Sequence, residues 1–178
     1  MKDISRRGSP ADSPSTKRAL TEDEALSRLM RMCSTGEHCQ QDAIDKLYRW
    51  GVDDAAQTRI MQQLIDGKYI DDERYTRAFV HDKAIFDRWG RRKIEQALRL
   101  RHIPSSVYGP VIDDVDDEQW TESLRYLLER KRDSTHARND YELRGKLAKY
   151  ALQRGFTMDI IRQCLDDVPQ EMDNDDYD

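Results

Sequence analysis

Basic residues between positions 83 and 101 are the side chains of this sequence best suited to chemistry, namely the binding of anions. This segment holds seven Lys or Arg residues and two acidic residues, a net charge of +5 in a chain whose total is −5. The flanking segments are acidic, with six acidic residues and no base at 113–122 and seven acidic residues and no base at 166–178. This segregation predicts a surface for phosphates or for a carboxylate-rich protein groove.

Helical periodicity predicts that many of these bases share an outward face. In a helix that begins near Asp71, the apolar positions expected to point inward are Tyr75, Ala78, Phe79 and Phe86. The candidate partner- or DNA-binding cations are Arg74, Arg77, Lys83, Arg88, Arg91, Arg92, Lys93, Arg99 and Arg101. The alternative is a solvated face with local ion pairs such as Arg91–Glu95.

Three consecutive cations, Arg91, Arg92 and Lys93, open the next predicted helix. Because the helix dipole disfavours positive charge at an N-terminus, we expect something other than helix stability to select them. Trp89 precedes them and is predicted to fill the junction between the two helices, with stacking on a nucleic-acid base as the alternative.

No catalytic motif is found, since the chain has no Gly-rich phosphate loop, no HExxH and no GxSxG. The acidic run at 113–118 could supply the metal ligands of a nuclease, but it is predicted to cap a helix. Cys33, His38 and Cys39 lack a fourth metal ligand at a suitable spacing. We therefore expect no enzymatic activity, no metal and no cofactor. Three cysteines without a regular framework are typical of a reducing cytosol, which predicts a cytoplasmic protein.

Composition limits the kind of core that the chain can build. Hydrophobic and charged residues each make up 37%, against typical values of about 45–50% and about 25%. Thin helical layers are therefore expected instead of one thick core. No segment approaches the roughly 18 apolar residues of a membrane span, and the first residues lack the apolar stretch of a secretory signal, so no membrane partner is expected.

A threefold repeat predicts the elements that position these residues. A turn is followed in each unit by an apolar residue, namely Val52, Ile103 and Phe156, at offsets of 51 and 53 residues. Further apolar residues follow each of these at steps of 4, 8, 9 and 12, which is the spacing of one helical face. In a second series, apolar residues follow an acidic residue by two and six positions, and the acidic residues are Asp23, Glu73 and Glu118.

The predicted fold is therefore all-α, with three tandem three-helix repeats that form an elongated, curved array with disordered termini. The predicted segments are a disordered N-terminal arm at 1–19, repeats at 20–67, 71–115 and 116–168, and an acidic disordered tail at 169–178. Thr21 and Glu24 have capping-box spacing. Gly51 and Gly155 stand where a left-handed helix C-cap is expected, and His102 stands at the equivalent position of the middle unit. We expect a monomer.

Several segments resemble the RecX family of bacterial regulators of the RecA recombinase. The resemblance is carried by YIDDERYTRAFV at 69–80, WGRRKIEQAL at 89–98 with Ile103, and RGKLAKYALQRGF at 144–156. It covers about residues 20–168. It implies three three-helix repeats that lie in the groove of the RecA–DNA filament and inhibit ATP hydrolysis and strand exchange, with DNA contacts in some members.

The resemblance also implies roles for individual residues. The implied contact residues are Arg74, Arg77, Arg91, Arg92 and Lys93. The implied scaffold residues are Tyr75, Phe79, Trp89, Gly90, Ile94 and Leu98. Our hypothesis is a non-enzymatic regulator whose partner is the RecA filament, with weak binding of single- or double-stranded DNA. A DNA-binding protein that acts without RecA through its basic helical face is the alternative, and a carboxylate–metal nuclease is a third possibility.

Overall fold

The computed structural model describes residues 19–166, which form nine α-helices and one π-helical turn and contain no strand. The first triplet is α1 (Glu22–Cys33), α2 (Gln40–Arg49) and α3 (Asp54–Asp66). The second is α4 (Asp72–His81), the π turn (Asp82–Phe86), α5 (Arg91–Arg99) and α6 (Ser105–Asp113). The third is α7 (Asp117–Asp133), α8 (Asp140–Gln153) and α9 (Met158–Asp166). The all-α fold of tandem three-helix units is thereby confirmed, while the predicted tail and all of the predicted arm except Ala19 lie outside the described residues.

Side-chain caps fix the helix starts at two of the predicted positions. At α1 the Thr21 N–H donates to Glu24 Oε2 at 3.0 Å, and the Glu24 N–H donates to Thr21 Oγ1 at 3.3 Å, which completes the predicted capping box. At α4, Asp71 Oδ1 accepts from two backbone N–H groups at 3.1 Å. At α7, Asp116 occupies the N-cap without a side-chain hydrogen bond.

The same turn ends the second helix of each triplet. Gly51, His102 and Gly155 have φ values of 69°, 57° and 92°. The N–H of the next residue then donates to the carbonyl oxygen five residues back at 3.2 Å, in the pairs Val52–Leu47, Ile103–Leu98 and Phe156–Ala151. This is the hydrogen bond of a Schellman motif, so the predicted left-handed caps are confirmed. His102 adopts the conformation even though its Cβ makes it less favourable than in glycine.

Two apolar cores fill the structure. The first lies within α1–α3 and includes Leu29, Leu47 and Ile60, with Ile70 just beyond α3. The second is continuous across the second and third triplets, and its fully buried members include Leu98, Ile103, Ile112, Leu124, Leu147 and Phe156. Cys39, at the N-cap of α2, is also buried in the second core. The second and third triplets therefore share one interior, whereas the first has its own.

The π turn after α4 alters which side chains face the core. A π-helical turn bonds residue i to i+5, so it breaks the α-helical period on which the predicted inward stripe depended. Ala84 is 1% exposed and Ile85 is half-buried against the second core, while Phe86 is 71% exposed. The prediction that Phe86 points inward is therefore wrong. Earlier in the stripe the prediction is right, since Tyr75 is 7% exposed and Phe79 packs against the second core.

Candidate cationic binding surface

The start of α5 meets the end of α8, and this contact explains its three cations. Gly90, the N-cap of α5, donates its N–H to the Arg154 carbonyl oxygen at 2.8 Å, and the Arg92 N–H donates to the Gly155 carbonyl oxygen at 3.0 Å. The negative end of the α8 dipole therefore lies against the start of α5, where it offsets the cost of positive charge. The cations are stabilised within the chain, and no external partner is needed to explain them.

Two candidate cations connect parts of the fold. Arg74 Nε donates to Glu37 Oε1 at 2.7 Å, and its Nη2 donates to the Lys68 carbonyl oxygen at 3.2 Å. The hydrogen bond with Glu37 is the main cause that raises the pKa of Arg74. This arginine thus connects the second triplet to the first.

Arg91 is held in the same way within the second triplet. Its Nη2 donates to Asp113 Oδ1 at 2.6 Å, and its Nε donates to Glu95 Oε1 at 2.9 Å. Both hydrogen bonds raise the pKa of Arg91, and the one with Asp113 is the main cause. Arg91 therefore forms the local ion pair with Glu95 that was the predicted alternative to partner binding.

Two more candidate cations form pairs within a helical turn. Arg77 pairs with Glu73 four residues earlier, and Lys83 Nζ lies 2.5 Å from Asp87 Oδ2. The Arg77 and Glu73 side chains are both about 60% exposed, so their attraction is weak and screened by salt. Arg77 can exchange this pair for a partner at small cost.

Trp89 fills the junction between α4 and α5, as predicted. Its half-buried ring packs edge-to-face on Phe79, with centroids 6.4 Å apart. Lys93 Nζ and Lys83 Nζ lie 4.2 and 5.0 Å from its centroid. Burial is the main cause that lowers the pKa of Lys93, and the nearby Arg154 guanidinium lowers it further. Trp89 therefore packs against the core and contacts two lysine side chains.

Two further candidate cations, Arg88 and Arg101, contact aromatic rings. The Arg88 guanidinium lies 4.0 Å from the centroid of Tyr126 on α7, and the Arg101 guanidinium lies 5.0 Å from that of Phe79. Arg130 also contacts Tyr126, donating to its hydroxyl oxygen at 3.2 Å. The sequence reading missed Tyr126. Its i,i+4 spacing to Arg130 was a local signal, whereas the approach of Arg88 arises from tertiary packing.

Arg92 and Arg99 are the two candidate cations that contact neither a carboxylate nor an aromatic ring within residues 19–166. Both are exposed, and neither forms an ion pair or a side-chain hydrogen bond with any residue in the range 19–166. They stand seven residues apart on α5, and together with Gln96 and Leu100 they line one open surface depression. The nine candidates therefore do not form one row of free cations. Four pair with carboxylates, three lie over aromatic rings, and Arg92 and Arg99 face solvent.

The possible metal ligands lie apart from one another in the part of the chain that the structure describes. No group of three or more His, Cys, Asp or Glu residues there is placed to hold a metal ion. Asp113, from the acidic run, pairs with Arg91 instead. Burial raises the pKa of the Cys39 thiol to about 11, so this thiol stays protonated at neutral pH. Within residues 19–166, no helix has both the length and the apolar character needed to cross a membrane.

Comparison with known proteins gives consistent matches. Family models match at residues 71–108, for the second three-helix domain of RecX, and at 117–165, for the third. The regulatory protein RecX of Acinetobacter baylyi is 27% identical over 135 residues, which cover 76% of this chain and 82% of that protein. The regulatory protein RecX of Lactobacillus johnsonii is 22% identical over 160 residues, covering 90% of this chain and 59% of that protein. The chain therefore spans about three fifths of the latter relative.

Two solved structures share the fold. A crystal structure described as regulatory protein RecX aligns with a TM-score of 0.76 at 20% identity, covering 82% of this chain and 73% of that one. RecX from Lactobacillus salivarius aligns with a TM-score of 0.70 at 20% identity, covering 82% of this chain and 94% of that one. At this level of identity the likeness concerns the fold alone.

Proposed function

Because the chain belongs to the RecX family, we propose that it is a non-enzymatic regulator that binds the RecA–DNA filament and inhibits its ATP hydrolysis and strand exchange. The similar proteins carry the name of regulatory protein.

The observation that carries this proposal is the exposed pair Arg92 and Arg99 on a fixed helix. Seven residues of α-helix span about 10 Å, and both side chains leave α5 on the same face. Because α5 is joined to α8 at its start and packed by Ile94 and Leu98, these guanidinium groups are held on rigid backbone. An arginine fork binds a carboxylate through two parallel hydrogen bonds. With Leu100, which is 72% exposed beside them, they suit a protein groove lined with carboxylates.

The test is the double variant Arg92→Glu with Arg99→Glu, measured as inhibition of RecA ATPase on single-stranded DNA. We expect the concentration needed for half inhibition to rise at least tenfold, which corresponds to about 1.4 kcal/mol. Arg91→Glu would be a poorer test because it would also break the internal pairs with Glu95 and Asp113.

The matched control is Arg49→Glu with Arg162→Glu, which changes the net charge equally at exposed positions of α2 and α9. We expect this control to inhibit within about threefold of the wild type, since general electrostatic attraction to an anionic filament is screened at physiological salt. Equal inhibition by the two folded double variants would show that Arg92 and Arg99 do not contribute to inhibition. A wild-type protein that neither binds nor inhibits the filament would refute the proposed function.

The second candidate is a DNA-binding protein that acts without RecA, since two exposed guanidinium groups can also contact phosphates. The helices that would enter a DNA groove in a helix-turn-helix unit offer little support. Helix α6 contains no Lys or Arg, and Arg59 of α3 pairs with Glu22 at 2.7 Å. Two phosphate contacts predict weak binding to single strands, with a salt slope of about −1.4 in logarithmic units. Nanomolar affinity for DNA alone at physiological salt would favour this candidate over the filament.

A further inference from the structure

Phe86 is exposed at the end of the π turn. The chain has three phenylalanines: Phe156 is buried, Phe79 is half-buried, and Phe86 is 71% exposed. An exposed tyrosine can bind water through its hydroxyl, whereas phenylalanine has no polar group. The exposed ring of Phe86 is therefore apolar surface with no compensating hydrogen bond.

Contacts with the third triplet hold the π turn in place. Ser123 Oγ on α7 donates to the Ala84 carbonyl oxygen at 3.5 Å. Arg154 Nη2, just after α8, donates to the carbonyl oxygens of Asp87 and, at 3.2 Å, Arg88. These bonds satisfy backbone groups that the irregular turn leaves without helical partners. The outward position of Phe86 is therefore built into the junction of the second and third triplets.

One residue with a strained backbone, Arg88, follows the exposed ring by two positions. Arg88 has φ of 51°, in the left-handed region that is unfavourable for a residue with a Cβ. This conformation accompanies the placement of its guanidinium over Tyr126, whose hydroxyl accepts a hydrogen bond from Arg130. Strained backbone costs free energy and persists only where the surrounding packing holds it. Such backbone, like π turns, is frequent at functional sites.

We propose that Phe86 is an anchor that inserts into an apolar pocket on a protein partner, with Arg88 and Arg130 contacting carboxylates at the rim of that pocket. This inference rests on the proposed function, under which the partner is the RecA filament. An aromatic ring with flanking arginine and tyrosine side chains has the composition of residues that dominate binding energy at protein interfaces.

The charges around Phe86 favour a protein over a nucleic acid. The Asp82 and Asp87 side chains are 64% and 43% exposed, and they flank Phe86 within one turn. The Asp82 carboxylate would repel a row of phosphates, whereas Asp87 already pairs with Lys83 and the arginines on the same surface would attract phosphates. A rim of both signs complements a protein surface, which also carries both signs.

The test is Phe86→Ala, with the affinity for RecA filaments measured by cosedimentation or fluorescence anisotropy. The matched control is Tyr141→Ala, which removes another aromatic ring that is 88% exposed. We expect Phe86→Ala to bind at least tenfold more weakly and Phe86→Leu to bind within about threefold of the wild type. Tyr141→Ala should bind within about twofold. Because Phe86 lies outside the core, thermal unfolding of its variants should match that of the wild type.

The salt dependence of filament binding distinguishes the contribution of Phe86 from that of the arginines. The loss caused by Phe86→Ala should be the same factor in low and high salt, because burial of an apolar ring is not a screened interaction. The loss caused by the Arg92 and Arg99 changes should shrink as salt rises. A loss for Phe86→Ala that disappears at high salt would contradict an apolar anchor.

The outcomes distinguish this inference from the function on which it rests. Absence of filament binding by the wild type refutes both. Binding by the wild type and equal binding by folded Phe86→Ala refutes the anchor and leaves the proposed function standing. A parallel loss of affinity for free single-stranded DNA would show that the ring contacts a base, which also refutes a protein pocket.

Discussion

Replacing Gly90 by alanine tests the junction on which both proposed surfaces depend. A Cβ at this position would lie 2.5 Å from the Gly155 carbonyl oxygen, and closer still to the Gly155 carbonyl carbon and the Phe156 nitrogen. These are backbone atoms, which cannot rotate away. Gly90 itself has φ of −76° and ψ of 161°, a conformation that alanine adopts freely. Any loss of stability therefore comes from the close approach of the two helix ends.

The size of the loss can be worked out from the contacts. Separating the helix ends would break the two backbone hydrogen bonds at 2.8 and 3.0 Å, each with a net contribution of about 1 kcal/mol. Overpacking in a buried site costs about 1–3 kcal/mol more. Alanine also lowers the conformational entropy of the unfolded chain, which offsets about 0.4–1 kcal/mol of this loss of stability. We therefore expect Gly90→Ala to lower the free energy of unfolding by about 2–5 kcal/mol.

Equilibrium urea unfolding, followed by tryptophan fluorescence, measures this change because Trp89 is the adjacent residue. The matched control is Gly145→Ala within α8, where an added Cβ would have no atom within 4 Å. This control should stabilise the protein by about 0.5–1 kcal/mol, since alanine is the better helix former. If Gly90→Ala lowered the free energy of unfolding by less than about 1 kcal/mol, the ends of α5 and α8 would not meet as described.

Two further substitutions and one chemical modification test the fold. Asp71→Ala should lower the free energy of unfolding by about 1 kcal/mol at pH 7 by removing the α4 cap. Hydrogen bonds from the backbone N–H groups of Arg74 and then Glu73 lower the pKa of Asp71. The stability difference between the wild type and Asp71→Ala should therefore disappear as the pH falls below about 4 and through the folded-state pKa of Asp71. Unfolding at several pH values measures it. Phe156→Ala should cost about 3–5 kcal/mol in the same unfolding assay, because its side chain is 1% exposed. A disulfide reagent at pH 8 should modify half-buried Cys33 first and Cys39 only after unfolding, since burial raises the pKa of Cys39 to about 11; equal rates would contradict this burial.

The repeated turn was predictable because it depends on local sequence. A helix end, a residue at positive φ and an apolar residue lie next to one another in the chain, so the spacing that marks Val52, Ile103 and Phe156 is sufficient to find it. His102 shows that the position matters more than the residue type, since it adopts φ of 57° where the other units have glycine. Local hydrogen bonding therefore explains why the three-helix units could be read from the sequence.

The positions of the cations were only partly predictable. The pairs of Arg77 and Lys83 with acidic residues four positions away are local, and the spacing was available in the sequence. The pair between Arg74 and Glu37 joins residues 37 positions apart, and the contact of Gly90 with Gly155 joins two triplets. No single-sequence pattern encodes such contacts. The outward position of Phe86 was missed because one π turn alters the period that the helix had followed until then.

The two separate cores have a consequence for the order in which the chain folds during synthesis. Residues 19–70 contain nearly all the apolar partners of the first core, so α1–α3 can become compact while later residues are still on the ribosome. The second triplet is different, because Ile94, Leu98 and Ile103 lie in an interior that α7, α8 and α9 complete. Its helices must remain partly uncovered until the last third of the chain has emerged. A nascent chain that stalls near residue 115 would therefore expose apolar surface to chaperones.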